Sequence, residues 1–374
     1  MIIRDAMIYS PDHSFVPGDL YIDGERLTAS SANADGEIVE ATGLYALPGL
    51  LDLHFHGAVG YDLCDADPAG LQAIADFEAQ HGVTAICPAT MTFPEEKLRE
   101  VMRCAAAHRN GQGADLVGIN MEGPFINPDK AGAQDPQYVI QADVGMLERL
   151  QEAAGGLIRL VDVAPEIPGN LDFIRQMSDQ VRISIAHTKT DYGMAAQAFK
   201  AGAKQLTHTY NAMPPMAHRE PGPIPAGAEY GSDAELIADG IHVHPAMVRL
   251  LFRLYGPEHI LLISDSMRAC GLPDGDYTLG GQAVTVRGKK AVLTEKPDTI
   301  AGSVTCLYDC MREAVINMGI PLEHAVQAAS ENPARALGVS RDYGTLSPGA
   351  YANVILADME LNIRAVYLKG KKVR

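Results

Sequence analysis

Five times along this chain of 374 residues, a short apolar run stops at a histidine or an acid. GLLDL leads into His54 and His56, LVGINM into Glu122, RISIA into His187, QLT into His208 and ILLIS into Asp265. Short apolar runs read as strands buried on both faces. Segments of helical period separate them, and parallel strands need crossovers of that length. A ring of parallel strands delivers side chains from distant parts of a sequence to one rim. Four imidazoles and two carboxylates gathered there point to a hydrolytic metal site.

Eight β-rich runs fit this scheme: 49–54, 83–91, 116–122, 158–166, 182–187, 205–210, 234–242 and 259–265. Asp143 is placed to cap a helix whose Val144, Leu147, Leu150 and Ala154 share a face, with Gly155 and Gly156 as its stop. A second helix is expected over 306–318, with Leu307, Met311, Ala314 and Met318 on one stripe. Eight such units make a TIM (β/α)8 barrel the economical fold. Residues 211–233 are too rich in Pro and Gly for a helix and read as a substrate-facing loop. Residues 270–300 carry a β-hairpin signal at Gly280-Gly281 and RGKK. The two ends differ from the middle. DLYIDGERLTA near the start and LNIRAVYLKGKKVR at the end both read as strand–turn–strand. Neither end supplies enough strands for a sheet of its own, so the expectation is that they pair. This divides the chain into a small β domain of 1–48 plus 345–374 and a barrel of 49–344.

A net charge of −17 excludes nucleic acid and anionic membrane surfaces as natural partners. It also means that an anionic substrate needs a locally basic pocket. The opening MIIRDAMIYSPDHS has no long apolar core, and no apolar stretch approaches a membrane span. Six cysteines show no CxxC pair, and Cys306 and Cys310, four apart, read as packed thiols. A cytoplasmic protein is expected.

Each candidate also has a bland reading. His54 and His56 point to one side of an extended segment and can grip one ion, but a lone HxH is weak evidence. Glu122 precedes Gly123-Pro124 and could cap a turn; His187 and His208 could be satisfied core histidines; Asp265 could cap the next segment. Their common height at strand ends favours ligation and, for Asp265, proton transfer facing a metal-bound water.

The segments LPGLLDLHFHG, NMEGPFINPDKAGAQDP, AHTK, THTYNAMPPMAHREPG, DGIHV, ISDSM and AGS together resemble N-acetylglucosamine-6-phosphate deacetylase, an amidohydrolase-superfamily enzyme, in order over nearly the whole chain. The resemblance implies a TIM barrel with a small β-sandwich built from both termini. It implies that Glu122, His187 and His208 hold the principal metal, that His54 and His56 hold a second, and that Asp265 is the catalytic acid/base. One or two divalent transition metals per subunit (Zn, Fe, Mn or Co) are implied. Ala133, Gln134, Asn211, Ala212, Arg219, His242, Ala301 and Gly302 match substrate-binding positions, with His242 near the acetyl and phosphate groups. Arg219 matches an arginine that in relatives reaches into the neighbouring subunit's site, which implies a homodimer. Gln134 stands where some relatives place histidine.

The activity so implied is hydrolysis of a linear amide bond in amino-sugar metabolism, releasing acetate and glucosamine 6-phosphate. The alternatives are an amidohydrolase acting on N-acetylgalactosamine 6-phosphate or another N-acyl substrate, a purine or cytosine deaminase, and a non-catalytic binding protein. EGPF and NAM do not suit a deaminase. A binding protein should have lost at least one of the six central residues, and none is missing.

Overall fold

A computed structural model describes residues 1–30 and 36–374. The central strands are short, parallel and buried. Leu50–Asp52, Val83–Ile86 and Asp115–Leu116 form one sheet; Ile119–Met121, Ile158–Val163, Arg182–Ile185, Gln205–Leu206, Asp233–Ile237 and Ile260–Ile263 form a second, in sequence order. A parallel bridge between Ala89 and Asn120 links the two, and at the other edge Asp265 N–H donates to the His54 carbonyl at 3.0 Å. The arrangement is of TIM-barrel type, with a strand at each of the eight expected places.

Strand Ile260–Ile263 shows how the layers form. Ile260 and Leu262 join the large core shared with the outer helices; Leu261 and Ile263, in phase with Asp265, pack with Leu51, Leu53, Cys87, Leu160 and Ile237. The outer helices bury one stripe each. In Pro245–Tyr255 these are Val248, Leu251, Phe252 and Tyr255, at the spacing that repeats on one helix face. Each fully buried side chain of this size contributes about 1.5–3 kcal/mol. The Asp143 carboxylate caps helix Val144–Ala153 by accepting from Met146 N–H, as its position predicts. The second expected helix spans Leu307–Ile316.

Glu78, on helix Pro68–Gln80, is an exception to the apolar stripe. It is fully buried and neither carboxylate oxygen has a hydrogen-bond partner. Burial, with the Asp52 charge nearby, pushes its pKa well above the usual carboxylate range.

Two departures from the sequence reading have physical causes. Residues 211–233 include a helix, Pro223–Glu229. Its two prolines lie in the first turn, where backbone N–H groups have no intrahelical partner to lose. Residues 275–300 form a four-stranded antiparallel sheet rather than one hairpin, because Lys290–Leu293 pairs on both sides. The two ends of the chain pair as expected: their strands join a single eight-stranded sheet, with Tyr45–Pro48 between Ile2–Tyr9 and Val354–Ala357. An antiparallel bridge joins Arg26, on an edge strand, to Tyr351, and the sheet carries a separate core of Ile3, Leu20, Ile22, Leu27, Val354 and Leu356. Among the described residues no helix is long and apolar enough to cross a membrane.

Candidate active site

Above the apolar interior lies a layer of buried polar side chains. Thr207 bonds Asp162 at 2.8 Å and Ser184 at 2.6 Å. Burial and the charge of Glu235 push the Asp162 carboxyl well up. Glu235 Oε2 accepts from the His208 backbone N–H at 3.0 Å and pairs with His54 Nδ1 at 2.9 Å. This layer is the bed on which the strand ends place their side chains.

At those ends the chain turns sharply. His187, His208 and Asp265 have φ of 41°, 28° and 49°. Side-chain-bearing residues rarely adopt this left-handed region, and each instance costs on the order of 1–3 kcal/mol. Three such residues around one point mark a site at which geometry is maintained against local preference. Gly302 closes the mouth beside them; a Cβ there would lie 3.1 Å from the Asp265 carbonyl oxygen.

Glu122 sits at the centre. Its Oε1 lies 3.1 Å from His187 Nε2, 3.2 Å from His208 Nε2 and 3.5 Å from His54 Nε2; its Oε2 lies 3.4 Å from His56 Nε2. Burial alone would raise its pKa, but the surrounding histidines outweigh it and hold the carboxyl well below the ordinary range. Asp265 Oδ1 faces His56 Nε2 at 3.3 Å and His54 Nε2 at 3.8 Å. There too burial opposes ionisation and the imidazoles overcome it, so Asp265 is a ready carboxylate.

The donor set tests whether a metal belongs here. His187 Nδ1 lies 2.7 Å from the Lys130 carbonyl, which can only accept, so that nitrogen carries the proton. In neutral His187 the Nε2 lone pair then faces Glu122 Oε1 and the Nε2 of His208, itself 3.1 Å away. Lone pairs opposed to a carboxylate call for positive charge between them. His54 Nε2, which faces Glu122 Oε1, is buried without a hydrogen-bond partner. Two triads, His54/His56/Glu122 and Glu122/His187/His208, bring their ligand atoms within 4.8 Å of one another. Imidazole nitrogens with a carboxylate oxygen suit a divalent transition metal.

A pocket of about 420 Å³ opens over this floor, within the usual size for a small-molecule site. Ala133, Gln134, Asn211, Ala212, His242 and Gly302 line it; Ala301 and Arg219 do not. Ala301 is fully buried, and its N–H bonds the Ala291 carbonyl. Arg219 is exposed in a separate cleft beside Lys189 and Pro221. The Gln134 amide is bonded to Glu122 Oε2 and the Thr92 N–H. Asp239 Oδ2 accepts from His242 Nδ1 at 2.8 Å. Burial would depress the His242 pKa, but this partner and Asp265 raise it above the ordinary value.

Sequence reasoning missed Glu235 and Asp239, whose roles depend on contacts between distant strands or within a turn. It also missed Lys130, which lines the pocket and makes no ion pair among the described residues. Its place four residues before Gln134 in NPDKAGAQ was the available signal.

Comparison with known proteins agrees with this geometry. The amidohydrolase family model matches residues 45–373. The chain is 35% identical to Bacillus subtilis N-acetylglucosamine-6-phosphate deacetylase, over 99% of this chain and 96% of that protein. It is 36% identical to an N-acetylgalactosamine-6-phosphate deacetylase of Escherichia coli O157:H7, over 93% and 90%. A mutant N-acetyl-D-glucosamine-6-phosphate deacetylase from Mycobacterium smegmatis, solved in complex with N-acetyl-D-glucosamine-6-phosphate, superposes with a TM-score of 0.93 at 32% identity, covering 100% and 99% of the two chains. The chain belongs to the amidohydrolase family, in its N-acetylglucosamine-6-phosphate deacetylase branch.

Proposed function

We propose that this protein hydrolyses the acetamide of N-acetyl-D-glucosamine 6-phosphate, giving D-glucosamine 6-phosphate and acetate. The observation that carries the reading is the Asp265 carboxylate held among the imidazoles on the floor of a pocket of sugar-phosphate size. Glu122, His187 and His208 would hold one divalent transition metal, with His54 and His56 offering a second position; such a metal would supply the Lewis acidity to activate water near neutrality and polarise the acetyl carbonyl. Asp265 accepts the proton of the attacking water and returns it to the departing nitrogen. One carboxylate serves both steps because the proton gained first is the one needed later. His242, held by Asp239 with its pKa raised, donates to the oxyanion as the carbonyl becomes tetrahedral. Asn211, Ala212 and Ala133 contact the sugar phosphate, and Lys130 adds positive charge on the same wall.

In this reading Arg219, which lies outside the pocket lining, reaches the phosphate of a second copy, and the working unit is a cytoplasmic homodimer. The parallel strands, with Asp115–Leu116 and Ile119–Met121 sharing one of the eight places, are read as one closed barrel over 49–344, supported by the bonds that link the two sheets, with 1–48 and 345–374 as the small domain. The galacto epimer is the second reading, favoured by the Escherichia coli relative of similar identity.

Acetate release across N-acetyl sugars of both epimers, each with and without the 6-phosphate, tests the proposal. The gluco 6-phosphate should be turned over fastest. A preference for the galacto epimer selects the second reading, and equal rates without phosphate remove the phosphate site.

A further inference from the structure

Gln134 is 2% exposed, and its surroundings fix which end of its amide faces the central carboxylate. The Thr92 backbone N–H donates to Gln134 Oε1 at 2.6 Å. A backbone N–H can only donate, so the amide NH2 is the end turned to Glu122, and it donates to Oε2 at 2.6 Å. Thr92 approaches this closely because residue 123 is glycine; a Cβ there would lie 2.0 Å from Thr92 Oγ1. From the other side, Gln282 of the antiparallel insert donates to the Ala133 and Gln134 carbonyls at 2.7 and 3.1 Å. The residue is therefore gripped at its backbone and at its amide oxygen, leaving the NH2 to act on Glu122.

We infer that Gln134 is a positioning residue for the metal-binding carboxylate and not a sugar contact. By holding Oε2 it keeps Oε1 turned towards the Nε2 atoms of His187, His208 and His54. The last torsion of a glutamate side chain is soft. Without the amide the carboxylate rotates among several orientations, and a metal must then order it on binding. The inference rests on the metal reading of the site and deepens it.

The test uses the full chain with two substitutions, Gln134→Met and Gln134→His, and measures Zn affinity by competition with a chelator alongside kcat and KM. Methionine keeps the length and removes the donor. Histidine can accept from Thr92 at one ring nitrogen and donate to Glu122 from the other. Gln134→Met should bind Zn roughly 10–100-fold more weakly, the usual loss when a partner of a ligand is removed. At saturating Zn its KM for N-acetyl-D-glucosamine 6-phosphate should stay at the wild-type value. Gln134→His should recover most of the Zn affinity. A raised KM with unchanged Zn affinity would make Gln134 a sugar contact and overturn the inference. Equal loss of Zn by both variants would reduce it to a packing residue and overturn it as well. Wild-type protein that binds no Zn, Mn, Fe or Co would be a different failure, that of the metal reading itself.

Discussion

The floor and the rim of the pocket are built on different principles. The floor consists of strand-end residues, each nearly inaccessible to solvent, with carboxylate and imidazole orientations set by Glu235, the Lys130 carbonyl and Gln134. The rim comes from long connections: the segment around Asn211 and Ala212 and the antiparallel insert that supplies Leu279, Asp298 and Ile300. A group that must transfer a proton at a fixed place needs rigid support. Groups that choose a substrate can sit on loops, where exchange leaves the core intact. The two halves should therefore fail differently: floor substitutions should lower kcat, and rim substitutions should raise KM.

The sharpest break in this division is Asp265→Asn. It keeps the shape and removes the base, so kcat should fall by roughly 10²–10⁴ while metal content, read by elemental analysis, stays near wild type. A normal kcat would make Asp265 a structural cap. Next in size is Arg219→Ala, in the neighbouring cleft, which in the proposed dimer joins the rim of a second copy. Losing one charge-assisted hydrogen bond of about 1.5–3 kcal/mol should raise KM for the 6-phosphate roughly ten- to hundredfold. The unphosphorylated sugar should be scarcely affected. Equal losses on both would place Arg219 in the fold or the subunit interface. Smaller again is Gln282→Ala, which cuts the tie between the insert and the Ala133–Gln134 loop. About 1 kcal/mol of lost hydrogen bonding corresponds to roughly a fivefold change in KM. A larger fall in kcat than rise in KM would show that the insert supports the floor.

The smallest expected effect on catalysis is that of Glu78→Gln, which lies in neither half. In the folded protein Glu78 keeps its proton to higher pH than the unfolded chain does, since its pKa is raised by burial. Its stabilising contribution is full below its unfolded value of about 4.3 and declines as pH rises towards the folded value. Thermal melts should show Glu78→Gln gaining on wild type between pH 5 and 8, with the difference vanishing near pH 4. Parallel pH profiles would mean that Glu78 ionises in the folded state without cost.

Much of the floor was legible because its residues follow apolar runs that could only be buried strands. The order of those runs carries the topology. His187 and His208 came to one height because parallel neighbours keep register: Ser184 pairs with Gln205 and Ile185 with Leu206. The supports were not legible. Nothing local in the sequence says that Glu235 receives His54 from 181 residues away, or that Gln134 turns inward. Helix Pro223–Glu229 escaped notice because composition was weighed without position, and proline in a first turn is no breaker. The extra insert strands lacked the alternation that marks an edge, since Lys296–Ile300 is largely exposed.

The sheet that joins the two ends of the chain has a consequence in time. Tyr45–Pro48 needs Val354–Ala357 as its partner, and some 300 residues separate their synthesis. At about 5–20 residues per second, the early strand waits roughly 15–60 s on the ribosome with an open edge. The barrel can assemble during that interval, because its pairings run between consecutive strands. The terminal sheet is therefore the last part to close and the part through which a stalled or truncated chain would first stick to its neighbours.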